Sequence, residues 1–231
     1  MSHQEWVSRL SRVSTALISD VLRTAGAPHQ VLHHSIQKLV PGPMVVGPAF
    51  CVRGERILGG VPKRSSANPR FEMYRRVQAG AVVVVESGGY EDAVMFGDNI
   101  AHGFAVRQCA GIVTDGGIRD REAMAGLGMP VFGRFTTPLS SGGQWLMTEL
   151  EVPLKLKGQS SSYVTVNPGD FIVADGDGVI VIPEACVQTV AEDAQQLADI
   201  EAEIGRRLAT GQDPGEVFSA FDRAKHVRRV V

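Results

Sequence analysis

The stretch FGDNIAHGFAVRQCAGIVTDGGIRDREAM, residues 96–124, reads as a tight turn, a helix, a strand, a second glycine turn and the start of another helix. Outward from it the alternation continues. The runs MVVGPAFCV (44–52), AVVVVES (81–87), AGIVTDGG (110–117), PVFGRF (130–135) and DFIVADGDGVIVIP (170–183) are β-rich and bounded by Gly and Pro. Short helical stretches near 70–79, 98–108 and 120–127 fall among them. These strands are too apolar for a sheet with one wet face, so the pattern predicts a mixed α/β fold with strands buried on both sides.

The N-terminal region reads as helical. Trp6, Leu10, Val13, Leu17 and Val21 recur at helical spacing, Ser14 or Thr15 suits the cap of a second helix, and Gly26 suits its stop. A long final helix is expected after Pro183, with Val190, Ala194, Leu197, Ile204 and Leu208 on one face. Residues 54–70, GERILGGVPKRSSANPR, have the composition of a long surface loop or lid. Past Gly211 the sequence ends in a basic, partly apolar tail with no evident role.

No low-complexity linker, charge block or repeat divides the 231 residues, so a single domain spanning 1–231 is expected, its core at about 14–212 and its tail at 213–231. A hydrophobic content of 44% supplies enough apolar mass for a substantial core, and a formal net charge of −2 leaves no basic field for a polyanion. Nucleic acid is therefore not expected as the principal partner. The opening MSHQEWVSRL lacks a secretory apolar region, and no run of about 18 apolar residues could span a bilayer, so a cytoplasmic protein without a membrane partner is expected. Cys51, Cys109 and Cys186 are scattered in apolar runs, which favours buried free thiols over a disulfide or metal framework.

The candidate chemistry lies in the stretch quoted first. Gly97-Asp98-Asn99-Ile100 places backbone amides at a helix start, where they lack internal partners and suit a carboxylate ligand. Arg119-Asp120 follow the strand and its glycine turn, at the carboxyl end of the sheet where ligands collect in open α/β folds. A guanidinium beside a carboxylate suits an oxyanion held in a fork next to a hard cation. On spacing alone, an equal reading makes Asp120 the cap of the following helix.

Asp98, Arg119 and Asp120, with Glu122 nearby, resemble the D-x20-R-D motif of the class II pyruvate aldolases of the RraA-like family. ISDVL (18–22), VGPAF (46–50), GGIRD (116–120), GMPVF (128–132) and VNPGDFIVADGDGVIVIP (166–183) extend the resemblance over most of the chain. It implies a layered β/β/α, swivelling-domain-like single domain with a long C-terminal helix, and a divalent-metal-dependent lyase acting on a 4-hydroxy-2-oxo acid, with oxaloacetate decarboxylation through the same enolate. By position, Arg119 would bind the pyruvyl carboxylate or C2 oxygen, Asp120 would anchor Mg²⁺ or Mn²⁺, and Asp98 would position a proton-relaying water. Gly97, Asn99 and Ile100 would grip the substrate carboxylate through their backbone. The resemblance further implies a homotrimer or homohexamer with its site between subunits, completed by a Glu from the neighbour's C-terminal helix. Glu201 interrupts the apolar stripe of that helix and is preferred for this role over Glu203, which points nearly opposite.

Segment 54–76 departs from the family pattern, which leaves the substrate open; Arg70, Arg75 or Arg76 could hold a second carboxylate, or simply be solvated. DGDG at 175–178 lacks the spacing of a calcium loop and reads as a β-turn. His33, His34 and His102 have no second ligand at zinc spacing, although His102, four residues after Asp98, could lie near the pocket. The rival readings are a diverged metal-dependent lyase or hydratase acting on another oxo acid, and a non-catalytic regulator that binds ribonuclease E.

Overall fold

The computed structural model describes residues 3–58 and 69–230. Its strands are β1 (Gln37–Val40), β2 (Val45–Arg56), β3 (Val82–Glu86), β4 (Gly111–Thr114), β5 (Gly117–Ile118), β6 (Val131–Gly133), β7 (Phe135–Thr136), β8 (Trp145–Leu150), β9 (Leu154–Leu156), β10 (Val164–Val166), β11 (Phe171–Ala174) and β12 (Val179–Ile182). Its helices are α1 (His3–Leu10), α2 (Thr15–Thr24), α3 (Pro69–Arg76), α4 (Asp98–Val106), α5 (Arg121–Ala125), α6 (Val187–Ala209) and α7 (Pro214–Ser219).

The main sheet runs β1-β6-β4-β3-β2-β11-β12, with β8 also joined to β2. Its middle, β2-β3-β4-β6, is parallel, and β1, β8, β11 and β12 attach antiparallel. The apolar runs alternate between two cores, as period-two strands must. Val83 and Val85 face a cluster with Met73, Ile100, Phe104 and Met124 of α3, α4 and α5, whereas Val82 and Val84 face an inner cluster closed by Leu154 and Leu156 of β9 and Val164 and Val166 of β10. Ile172 and Val181 enter that inner core from the other end of the sheet, while their neighbours Phe171, Val173, Ile180 and Ile182 meet α1, α2 and α6. The sheet thus curls around one core and carries a helix layer on each outer face, the expected layered α/β architecture with its long C-terminal helix.

Several local signals act as the sequence indicates. The Ser14 hydroxyl accepts the Leu17 amide to cap α2, which stops at Gly26 in a left-handed turn. DGDG is the turn of the β11–β12 hairpin, closed from the Asp175 amide to the Gly178 carbonyl. Elsewhere the elements differ from expectation. A 3-10 turn at Glu184–Cys186 precedes α6, and PVFGRF splits at Arg134 into β6 and β7.

The largest difference lies at residue 54. Gly54 begins no loop, because β2 continues to Arg56 and pairs with Trp145, Leu146 and Met147 of β8. The glycine is there for space: a Cβ at 54 would lie 1.9 Å from the Trp145 ring. Of the loop or lid expected at 54–70, residues 54–56 belong to β2 and 69–70 to α3, and 59–68 lie outside the described residues.

The C-terminal tail also has a structural role. The Asp193 side chain of α6 is 4% exposed and accepts the Arg228 backbone amide at 2.8 Å, its Nε at 2.9 Å and its Nη2 at 2.6 Å. Val227 and Val230 pack on the core of α1, α2 and α6, and the Val230 amide donates to the Ala25 carbonyl at 3.0 Å. Residues 220–230 thus strap α6 to α2. Arg228→Ala leaves a buried carboxylate short of donors and is expected to cost about 1–3 kcal/mol, read as a lower urea midpoint; an unchanged midpoint would show that the strap contributes nothing.

Candidate active site

Two short segments stand side by side above the parallel strands. Residues 94–96 run parallel to β5, with Phe96 opposite Ile118; the Met95 amide donates to the Gly117 carbonyl at 3.3 Å, and the Arg119 amide to the Phe96 carbonyl at 3.3 Å. Asp98 lies two residues beyond Phe96, and Asp120 two beyond Ile118. Equal steps from a paired position bring both acids to the same level, where α4 and α5 begin. Asp98 and Asp120, far apart in sequence, are neighbours because a parallel register makes them so.

Asp120 Oδ2 lies 3.3 Å from Arg119 Nε and accepts the Asp98 amide at 3.4 Å. The Asp120 backbone is left-handed, with φ 63°, an uncommon state for a residue with a side chain. Although Asp120 holds the N-cap position of α5, its side chain makes no capping hydrogen bond. The helix-cap alternative is therefore not realised. The carboxylate turns away from its helix toward Arg119 and the start of α4, and both side chains remain open, at 40% exposure for Arg119 and 37% for Asp120.

Gly97 makes this approach possible. Its φ of −133° is ordinary, but a Cβ there would come within 2.2 Å of Asp120 Oδ2 and 3.0 Å of Arg119 Cγ. The need for glycine is steric and is set by the other segment. The α4 amides have local partners: Asn99 donates to Asp98 Oδ1 at 2.8 Å, and Ile100 and Ala101 donate to the Gly97 carbonyl at 3.2 Å each. The rotamer of Asp98 therefore decides whether the Asn99 amide is open to another acceptor. Behind the turn, Tyr74 of α3 donates to the Ile100 carbonyl at 3.2 Å and packs where Gly103 leaves room.

Other candidates stand apart. Glu122 and His102 are exposed. Glu201 and Glu203 lie on α6, in the helix layer opposite the one containing α4 and α5, where Glu201 pairs with Arg223 and Glu203 with Arg206 and Arg207. Within one chain, neither reaches Arg119. The three cysteines are buried and free, and burial pushes the Cys109 thiol up to about 11, far from a nucleophile's range.

As a metal site the turn fits one description. Among the described residues no group of three His, Cys, Asp or Glu forms a cage. Mg²⁺ needs none where one or two carboxylates hold it and water and substrate oxygens complete its shell. Asp120, with Asp98 beside it, meets that requirement.

Sequence reasoning missed the supports of the site. Asp115 was legible only as the end of a strand, yet its Oδ1 accepts the Ser87 amide at 2.6 Å; the Ser87 carbonyl in turn accepts Trp145 Nε1 at 2.9 Å. Both bonds join residues distant in sequence, and no local pattern points to them.

The family model for RraA-like proteins, described as Aldolase/RraA, matches residues 15–181. The chain belongs to the RraA-like family. A relative from Halalkalibacterium halodurans, provisionally named 4-hydroxy-4-methyl-2-oxoglutarate aldolase, is 31% identical over 199 residues, 86% of each chain. Protein DlpA of Legionella pneumophila is 29% identical over 205 residues, 89% of this chain, which spans only 32% of the length of DlpA. Among solved structures, Streptomyces coelicolor RraAS2, described as an unusual member of the RNase ES inhibitor RraA protein family, superposes with a TM-score of 0.71 at 29% identity, covering 88% of this chain and 98% of its own.

Gly97→Ala is expected to push Asp120 and Arg119 out of register with Asp98. Affinity for Mn²⁺, followed by electron paramagnetic resonance, should fall at least about tenfold while the melting temperature moves little, since no buried apolar group is lost. Unchanged Mn²⁺ affinity would mean that the turn does not hold the cation.

Proposed function

We propose that this RraA-like protein is a divalent-metal-dependent carbon–carbon lyase that releases pyruvate from a 4-hydroxy-2-oxo acid by retro-aldol cleavage, and that it decarboxylates oxaloacetate through the same enolate. The reading is carried by the in-register meeting of Asp98 with Arg119 and Asp120, an arrangement that pure binding would not require. The aldolase name of the Halalkalibacterium relative points the same way.

In the retro-aldol direction a base takes the proton of the C4 hydroxyl, the C3–C4 bond breaks, and its electrons pass through C2 and C3 to the C2 oxygen. Arg119, open to solvent and tethered by one carboxylate, presents its remaining donors to the substrate carboxylate and to that oxygen as charge develops. Asp98 faces the same point and holds a water that carries the hydroxyl proton away and later returns one to C3. Bound at Asp120, Mg²⁺ or Mn²⁺ supplies electrophilic polarisation of the 2-oxo group. Asn99 places its amide at the substrate carboxylate once Asp98 turns outward, and Ile100 joins it by turning its amide from the Gly97 carbonyl. Glu201 would enter from a neighbouring copy in a trimer or hexamer, after release from Arg223.

The test is pyruvate release from 4-hydroxy-4-methyl-2-oxoglutarate and from oxaloacetate, with Mg²⁺, Mn²⁺ or EDTA. Metal-dependent release abolished by EDTA is expected. Arg119→Ala should lower kcat/KM by about 10²–10³-fold, the usual loss for an oxyanion donor, with melting temperature and assembly unchanged. Asp120→Ala should lose activity without rescue by excess Mg²⁺. Metal-independent release, or full activity of Arg119→Ala, would remove these residues from the mechanism. Release from neither compound would favour a diverged lyase or hydratase, or the inhibitor role that the description of RraAS2 names for its family.

A further inference from the structure

The two segments that carry the site are joined twice. At their tips they pair through Phe96 and Ile118. At their roots, where β3 and β4 end and the ladder between them stops at Val85 and Thr114, no backbone bond takes over. A side chain does: Asp115 Oδ1 accepts the Ser87 amide at 2.6 Å, while Trp145 Nε1 donates to the Ser87 carbonyl at 2.9 Å. Both backbone groups of Ser87, a fully buried residue, are thus held by side chains, one from the bend after β4 and one from β8. Beyond the roots Met95 bridges the two segments, its Sδ accepting the Thr114 hydroxyl at 4.0 Å. The Met95 side chain lies where a Cβ on Gly116 would come within 2.4 Å of its Cε. Arg56 pairs with Asp92 at 2.7 Å, and Arg134 with Glu91, which fixes the intervening loop to the strands below.

We infer that Asp115 is a positioning residue of the site: by gripping Ser87 it sets where the segment ending in Asp98 meets the segment ending in Arg119 and Asp120. The inference rests on the lyase reading for its kinetic consequence, though not for its structural one. A half-buried carboxylate is a costly way to hold one amide, and partial burial pushes the Asp115 carboxyl above the ordinary range against the pull of that amide. Satisfying the Ser87 amide stabilises the fold, but any acceptor would serve for that alone. A short bond to an acceptor fixed on the neighbouring segment gives positional control instead, and displacement of a reacting group by about 1 Å costs on the order of 10²-fold in rate.

The test compares Asp115→Ala, which removes the acceptor, with Asp115→Asn, which keeps an acceptor oxygen without the charge. Asp115→Ala should lower kcat about 10–100-fold with KM for 4-hydroxy-4-methyl-2-oxoglutarate held within about threefold, and Asp115→Asn should recover most of the loss. Hydrogen exchange of the full-length protein should quicken in both segments, 88–98 and 116–120, while β3 and β4 stay protected. Should Asp115→Ala fail to fold, Trp145→Phe removes the other bond to Ser87 but keeps a ring over Gly54, and the same split of kcat from KM is expected. Unchanged kcat in Asp115→Ala, no recovery in Asp115→Asn, or faster exchange confined to Ser87 would overturn the inference. If the unmodified protein cleaves neither oxo acid, the lyase reading fails, and the exchange data alone decide whether Asp115 couples the segments.

Discussion

β2 is one strand serving two sheet halves, and most of the molecule is arranged around that demand. Its first residues, Val45 to Pro48, pair with β11, its middle, Ala49 to Arg53, with β3, and its end with β8. Alternation along it sends Val46 toward α1, α2 and α6, sends Val45, Ala49 and Cys51 into the inner core, and sends Phe50 and Val52 toward α3, α4 and α5. Each apolar cluster therefore contains a piece of β2. Between its partners β11 and β8 the strand edge is mended by Glu151, which accepts the Cys51 amide through its side chain at 2.9 Å and donates its own amide to the Cys51 carbonyl at 2.7 Å. Such a repair keeps buried polar groups satisfied where a ladder changes hands. The Trp145 ring over Gly54 then carries the order of β2 out to Ser87 and so to the foot of the site.

Much of this was legible where local rules act alone. The VVVV run of β3, the hairpin at 171–182 and the amphipathic stripe of α6 declare themselves because a strand buried on both faces and a helix buried on one have distinct patterns. Asp98, Arg119 and Asp120 were legible as a motif, and the pairing of Phe96 with Ile118 supplies the reason for their spacing. What stayed hidden depends on partners distant in sequence. Gly54 read as the start of a loop because composition cannot separate a glycine chosen for its backbone from one chosen to admit an indole. The tail at 220–230 looked idle because Asp193 and Arg228 meet only after α6 has docked. Asp115 was hidden for the same reason, its partner lying at the end of another strand.

The site itself is a balance of strain and access. Holding Asp120 in a left-handed backbone costs about 1–3 kcal/mol, and its helix forgoes a side-chain cap. In exchange the carboxylate faces Arg119 and the Asp98 amide from a position that no regular helix start would provide. Because Asn99 donates to Asp98 Oδ1, a ligand that takes this amide also frees the acid. In the proposed lyase, binding and the preparation of Asp98 would be one event.

The parallel step that aligns Asp98 with Asp120 begins at Phe96, not at Ser87. Residues 88–93 lie between the root and that step, and they are anchored below through the charges of Glu91 and Asp92. This span can change sequence without altering the count from Phe96 to the acid, provided that its length still fits between Ser87 and that step. The molecule thereby separates a span whose side chains are free to drift from a ruler that is not, and descendants of one ancestor could vary the surface of that span while Asp98, Arg119 and Asp120 keep their places.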